Sequence, residues 1–223
     1  MENLRKRVVA CRKCQRLVTY ISNVSRDKVR RYRDWRYWGR PLPGFGDPEA
    51  RLLIVGLAPA AHGGNRTGRM FTGDSSGDWL IKALYETGFS NQPTSASKDD
   101  SLELKSAYIT AAIRCAPPKN RPLADEIGNC SEYLLEELRL LDEVEVVLTL
   151  GRIAFDTYRR YVLPKDRGLG PRFAHGGFYE FHGLPCLVTS YHPSKQNTQT
   201  GRLTWEMWIS IFRYIRERLA ESR

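Results

Sequence analysis

The sequence predicts a single α/β domain with a central, mainly parallel four-stranded sheet flanked by helices. Four short apolar runs rich in β-branched residues indicate buried strands, and segments with helical spacing of apolar residues lie between them. Strands that alternate with helices favour right-handed βαβ units and a sheet covered on both faces. A chain of 223 residues, 41% hydrophobic, is long enough to bury a core of this kind.

The predicted strands cover residues 51–56, 106–115, 144–150 and 184–190. In a parallel sheet the carboxyl ends of the strands meet at one edge, where ligands bind. Three unusual loops begin there: residues 56–64 (GLAPAAHGG), 115–122 (CAPPKNRP) and 191–194 (YHPS). We therefore expect these loops to lie side by side and to hold the chemistry of the protein.

Four segments have the spacing of amphipathic helices. One begins near Asp78, and the others cover residues 124–141, about 153–162 and about 203–219. The last carries apolar residues at i, i+3 and i+4 spacing: Trp205, Trp208, Ile209, Phe212, Ile215 and Leu219.

The positive charge of the chain is concentrated near its N-terminus. The formal net charge is +10, and residues 1–40 contain 13 basic and 3 acidic residues, whereas the remaining residues contain 22 of each. Aromatic residues lie among these basic ones. Such a segment favours a polyanionic partner, nucleic acid above all, because Lys and Arg displace counterions from phosphates. A solvated basic face is the alternative.

The chain contains no apolar run near the ~20 residues that cross a bilayer, and its basic N-terminus lacks the apolar core of a signal peptide. We therefore expect a cytosolic protein with no membrane partner. In a cytosolic chain, five cysteines indicate metal or redox chemistry rather than disulfides.

Four of the cysteines could form one metal site. Cys11 and Cys14 form a C-x2-C pair in the basic segment, while Cys115 closes a predicted strand and Cys130 lies in a predicted helix. Four thiolates suit zinc or a [4Fe–4S] cluster, but the spacing alone leaves unconnected thiols equally open. Cys186 lies within a predicted strand and is interpreted as a buried apolar residue.

Three motifs and the four cysteines together resemble the uracil-DNA glycosylase superfamily, in particular family 5 (type b). The motifs are residues 56–80 (GLAPAAHGGNRTGRMFTGDSSGDWL), 114–130 (RCAPPKNRPLADEIGNC) and 191–203 (YHPSKQNTQTGRL), and the resemblance extends over nearly the whole chain. It implies the uracil-DNA glycosylase fold and a monofunctional DNA-repair glycosylase that hydrolyses the N-glycosidic bond of an extruded nucleotide. It also implies a structural [4Fe–4S] cluster on Cys11, Cys14, Cys115 and Cys130, with zinc as the alternative.

The resemblance also implies residue roles. Asn120 would position the attacking water, His192 would stabilise the leaving base, and Phe71 would stack on it. Each has a simpler reading: a turn residue, a histidine bonded to backbone, and a core side chain. The other implied substrate-binding residues are Gly56, Ala58, Ala60, Ala61, Asp74, Ala111 and Ser194, and the implied DNA contacts are Arg66, Arg69, Arg121, Lys195, Gln196, Asn197 and Arg202.

Two positions depart from better-known relatives. Residues 57–61 (LAPAA) contain no Asp, Asn or Glu that could activate water, and Ala111 stands where close relatives have an asparagine that reads uracil. A pocket with fewer polar demands discriminates less, so hypoxanthine and xanthine are expected as further substrates. Asp74 could assist in catalysis, although an Asp before a helix more often caps it.

The expected protein is a monomer with residues 1–223 forming one glycosylase domain and residues 1–48 a basic aromatic arm tied to the body by the cysteines. Its expected partner is DNA containing uracil or other deaminated bases, in the nucleoid of a prokaryotic cytosol. Two other functions are open. One is a non-catalytic nucleic-acid-binding module carrying a metal cluster. The other is a serine esterase using Ser75 of a G-x-S-x-G motif, with residues 62–64 as its oxyanion loop.

Overall fold

The computed structural model describes residues 1–164 and 170–221, and its elements alternate as the sequence predicts. The strands are β1 (Phe45–Gly46), β2 (Leu52–Gly56), β3 (Ala107–Ala111), β4 (Val146–Leu150), β5 (Gly177–Phe181) and β6 (Leu184–Ser190). The α-helices of the described residues are α1 (Glu2–Ala10), α2 (Gln15–Asp27), α3 (Gly64–Thr67), α4 (Ser75–Glu86), α5 (Ala124–Leu140), α6 (Arg152–Tyr161), α7 (Lys195–Gln199) and α8 (Trp205–Glu221). Within these residues, no helix combines the length and apolarity needed to cross a bilayer.

The sheet has six strands in the order β1-β3-β2-β4-β6-β5. Its four central strands, β3, β2, β4 and β6, are parallel, as predicted. The two edge strands are antiparallel and lie outside the four-stranded prediction. β1 has only two residues, and no residue of β5 is fully buried, so neither is the continuous apolar run that marks a buried strand.

Helices cover both faces of the sheet. One core cluster packs α4 and α8 against it through large side chains such as Leu80, Trp208 and Phe212. A second cluster packs α5 and α6 against the other face, with Leu134 and Phe155 at its centre. The central strands are buried along their length, which explains why their sequences are continuous apolar runs.

Residues 1–48, for which no helix is predicted, contain α1 and α2. Leu4 and Val8 of α1 and Leu17 and Ile21 of α2 are buried, so both helices pack onto the body through an apolar face. Three basic side chains of this segment also pair with glutamates of α5, at nitrogen–oxygen distances of 2.6–2.7 Å: Arg7 with Glu136, Lys13 with Glu132, and Arg16 with Glu126. Part of the N-terminal positive charge is therefore balanced within the protein.

Candidate functional site

The loops after β2 and β3 meet in one groove with a volume of about 880 Å3. Its walls come from residues 60–63 after β2, residues 73–75 and Asp78 at the start of α4, residues 94–96, Pro117, Lys119 and Asn120 after β3, and Lys195 at the start of α7. Tyr20, Arg31, Tyr32 and Trp35 of the N-terminal segment complete the lining. Because β2, β3 and β6 are parallel strands, the loops that follow them leave the same edge of the sheet, as predicted, although residues 191–194 do not line this groove.

Phe71 and His192 lie in contact with each other, although neither lines the groove that contains Asn120. Their ring centroids are 6.0 Å apart, and the ring planes are inclined by 30°. Gly56 makes room for this arrangement, because a Cβ atom there would lie 2.8 Å from the Phe71 ring. Phe71 has a φ of 48°, a left-handed conformation that bulky residues rarely adopt. The surrounding structure therefore holds Phe71 against backbone strain, as is common at functional sites.

His192 has an environment that keeps its imidazole neutral. Burial disfavours the charged form and lowers the pKa of His192 from its usual 6.5 to about 4. The turn that carries it is held by two hydrogen bonds to the His192 carbonyl, from the Asn197 side chain and the Ser194 amide, each of 2.8 Å. At neutral pH the ring therefore has one N–H donor and no charge.

Asn120 lines the groove from a strained turn. It ends the 3₁₀ turn Pro118–Asn120, and its φ of 56° follows a φ of 54° at Lys119. Two consecutive left-handed residues other than glycine cost backbone energy, so their conformation depends on the surrounding structure. The exposed Asn120 side chain shares the groove lining with Asp74 and Lys195.

Asp74 caps α4, as the alternative reading of this residue predicts. Its Oδ1 accepts hydrogen bonds of 3.0 Å from the amides of Ser76 and Gly77. Its Oδ2 lies toward Gly63, where a Cβ atom would approach it to 2.0 Å, so only glycine leaves space for the carboxylate. Burial raises the pKa of Asp74, against the opposing effect of the two amides. One carboxylate oxygen thus serves the helix while the other is directed toward a wall of the groove.

The small residues of the predicted pocket occupy four different places. Gly56 and Ala111 pair in register at the ends of β2 and β3, and neither has a polar side chain. Ala60 and Ala61 line the groove. Ala58 packs against the apolar cluster around Cys115 and Cys130, and the Ser194 hydroxyl caps α7 by accepting from the Asn197 amide at 3.4 Å.

Arg66 and Arg69 differ from the phosphate-contacting role predicted for them. Arg66 is 4% exposed and donates to the carbonyls of His62 and Gly73 at 2.8 and 2.9 Å. Arg69 is 7% exposed and forms an ion pair of 2.7 Å with Asp100. Both guanidinium groups therefore hold loops together inside the protein. Arginine spacing in a sequence does not distinguish such internal partners from DNA phosphates.

The other predicted DNA contacts are largely on the surface. Arg121, Lys195, Gln196 and Arg202 are exposed, and Arg202 also stacks on Tyr191 with 4.7 Å between its guanidinium and the ring centroid. Asn197 is partly buried and bonds to the His192 carbonyl, so its side chain supports the turn. Residues 195–199 form α7 rather than an open loop.

His62 is a groove residue to which the glycosylase interpretation gives no role. The Tyr37 hydroxyl lies 3.1 Å from its Nδ1 atom, which joins the N-terminal segment to the first loop. Burial, with Arg31 and Arg66 nearby, lowers the pKa of His62. Its position within the motif of residues 56–64 is the one signal in the sequence that could have indicated it.

The position of Ser75 argues against the esterase alternative. A nucleophile elbow places its serine directly after a strand. Ser75 is instead the first residue of α4, and the segment before it contains the short helix α3 rather than a strand.

The four predicted metal ligands come from four segments and face one region. Cys11 follows α1, Cys14 precedes α2, Cys115 follows β3, and Cys130 lies in α5. Burial, followed by the charges of the other three thiols, raises the pKa of Cys115. Burial raises the pKa of Cys130 to about 11. Cys186, buried in β6, lies apart in the main core.

The cysteines do not form a ready-made site for a single metal ion in the described part of the chain. Among residues 1–164 and 170–221, no three His, Cys, Asp or Glu side chains are placed to hold one metal ion. The convergent side chains are all sulfur donors, and four thiolates in a partly buried region need cationic compensation. Asn129 donates to Cys14 Sγ at 3.5 Å, the kind of outer hydrogen bond that surrounds thiolate ligands.

Comparison with known proteins gives a consistent result. The family model of the uracil DNA glycosylase superfamily matches residues 43–216. A type-5 uracil-DNA glycosylase of Pyrobaculum aerophilum is 50% identical over 207 residues, which are 93% of this chain and 88% of that protein. The proteins of the same name from Thermus thermophilus and Mycobacterium leprae are 50% and 47% identical, over 92% and 94% of this chain and 91% and 92% of their own lengths.

We expect the His192 imidazole to titrate near pH 4, well below free histidine. Its pKa is lower in the folded than in the unfolded protein, so acid favours the unfolded state. The contribution of His192 to stability is therefore complete above about pH 6.5 and is lost as the pH falls toward 4. NMR of the ring carbon-bound protons, assigned by the missing signal in His192→Gln, measures the midpoint. A midpoint at 6 or above would contradict the neutral donor.

Proposed function

Since the chain belongs to the uracil DNA glycosylase superfamily, and within it to the type-5 enzymes, we propose that it excises uracil from DNA in repair. Hydrolysis of the N-glycosidic bond releases the base and leaves an abasic site. The observation that carries this proposal is the contact of Phe71 with the neutral imidazole of His192.

The reaction requires an extruded nucleotide, because the bond is inaccessible in a stacked duplex. Phe71 offers an aromatic face on which the base stacks, at a position fixed by the space above Gly56. Since the His192 ring lies next to that face, its N–H is placed to donate toward the edge of the base. As the bond breaks, negative charge collects on the base, and this donor stabilises the leaving anion.

Neutrality of His192 is compatible with this role. A donor fixed in a poorly solvated site needs no reorganisation as charge develops, so its hydrogen bond strengthens in the transition state. Burial both lowers the pKa of the ring and removes the water that would compete for the anion. A charged imidazole is therefore unnecessary.

Asn120, in the groove lining, positions the attacking water in this proposal. An amide orients water without taking its proton, which suffices when the sugar has strong oxocarbenium character. Asp74 assists through Oδ2, while its Oδ1 remains committed to the cap of α4. The exposed side chains of Arg121, Lys195, Gln196 and Arg202 hold the DNA backbone around these groups.

Cys11, Cys14, Cys115 and Cys130 hold a structural [4Fe–4S] cluster in this proposal. Their four thiolates would be the ligands of the cluster, and its role would be structural. When bound, it cross-links α1, α2, β3 and α5, and thereby ties residues 1–48 to the rest of a single glycosylase domain. The protein would act as a monomer on nucleoid DNA.

We expect Asn120→Ala and His192→Ala to slow uracil release by about 100-fold or more, because each removes a group that acts in the transition state. Single-turnover release from a uracil-containing duplex measures the effect, and Kd for a duplex with an abasic-site analogue should stay near the wild-type value. His182→Ala, in the exposed turn before β6, is the matched control and should retain the wild-type rate. Wild-type protein that binds the duplex without releasing base would instead support a non-catalytic binding module.

The base range should include hypoxanthine and xanthine. Gly56 and Ala111 meet in register at the base pocket without a polar side chain, so little rejects a base with different edge groups. Chromatography of bases released from duplexes containing uracil, hypoxanthine or xanthine tests this, with an undamaged duplex as control. Release of uracil alone would contradict the proposal.

Replacement of a cluster ligand should remove iron. Anaerobically purified wild-type protein should be brown, and Cys130→Ser should lose most of its iron and its broad visible absorption. Cys186→Ser is the matched control, because this buried cysteine lies outside the thiol cluster, and it should retain both. A colourless wild-type protein with one bound zinc would contradict the iron–sulfur assignment.

A further inference from the structure

An aromatic corner of the N-terminal segment packs around one arginine. The Arg66 guanidinium lies 3.9 Å from the ring centroid of Tyr32 and 4.0 Å from that of Trp35. The two rings meet edge to face, 6.2 Å apart at an angle of 73°. Arg31 adds a second guanidinium 4.6 Å from the Tyr32 centroid. We call these four residues the aromatic platform.

The platform is fixed to the catalytic loops. Arg66 donates to the carbonyl of His62 in the first loop and to that of Gly73, next to Asp74. The guanidinium therefore positions Tyr32 and Trp35 relative to the groove without DNA. A binding surface organised in advance loses less conformational entropy when it takes a ligand.

Part of the platform remains open to the groove. Trp35 is 39% exposed, more than any of the other four tryptophans. Both Tyr32 and Trp35 line the same groove as Asn120. Cations outnumber carboxylates in the groove lining, which contains Arg31, Arg66, Lys119 and Lys195 against Asp74 and Asp78. An exposed ring beside cations suits a nucleobase whose phosphates need countercharge.

We infer that the aromatic platform stacks a second, unpaired nucleobase of the DNA strand that carries the excised base. This inference rests on the proposed function and extends it from one extruded base to two unstacked ones. Stacking on an aromatic ring accepts any base, so the platform adds affinity without sequence preference. The enzyme then favours damage whose neighbours are already unpaired, as in single-stranded DNA.

The test compares two single-stranded oligonucleotides with a central deoxyuridine. In one, the neighbouring nucleotides carry bases; in the other, they are base-free tetrahydrofuran spacers. For wild-type protein, we expect KM to be about 5- to 100-fold lower with flanking bases, as one stacked base allows. In Trp35→Ala the KM values for the two oligonucleotides should become equal, and in Trp35→Phe most of the difference between them should remain. Tyr85→Ala removes an exposed ring on α4 and should leave the ratio at its wild-type value.

Two results would overturn the inference. One is a wild-type KM that is the same for both oligonucleotides; the other is a Trp35→Ala defect of equal size on both, as expected if Trp35 only stabilises the segment.

Tryptophan fluorescence separates this test from the proposed function. Quenching by an oligonucleotide with thymine in place of uracil should diminish in Trp35→Phe, even if wild-type protein released no uracil. Unchanged quenching in Trp35→Phe would reject the platform.

Discussion

A fully buried ion pair joins the segment after β3 to α5. Arg114 donates to Oε2 of Glu137 at 2.6 Å and also to Thr110, whose hydroxyl donates to the same carboxylate oxygen at 2.6 Å. Loss of one member of such a pair leaves an uncompensated charge in apolar surroundings and costs about 3–5 kcal/mol. The pair fixes the segment after β3 against α5. Cys115 directly follows Arg114, and Cys130 lies in α5 together with Glu137.

Helix α5 also connects to the groove, through the N-terminal segment. The glutamates of α5 hold the basic N-terminal segment, and its apolar helices complete the packing. That segment brings Tyr37 to His62 and brings Tyr32 and Trp35 to Arg66. One wall of the groove is therefore built by residues remote from it in sequence. The positive charge of residues 1–40 has two uses, since some cations bind α5 and others remain exposed beside the groove.

The site combines backbone strain with a buried, neutral histidine. Phe71, Lys119 and Asn120 have left-handed backbones although none is glycine. Such conformations persist only where the neighbouring structure holds them, which accounts for the close fit of Gly56 to the Phe71 ring. Rigid placement allows a neutral His192 and an amide to serve where a flexible site would need charged groups.

The sequence by itself determined the four parallel strands, the main helices and the three loops at one edge, because apolar periodicity and turn residues are local properties of the chain. The edge strands were missed because neither is a continuous apolar run. Only the tertiary structure decided which cations have partners within the protein. The buried Arg66 and Arg69 bond to carbonyl and carboxylate groups, and the more exposed Arg7, Lys13 and Arg16 pair with glutamates of α5. The physical reason is that a charged side chain has no periodic signature, so its role depends on what folding brings within a few ångströms of it.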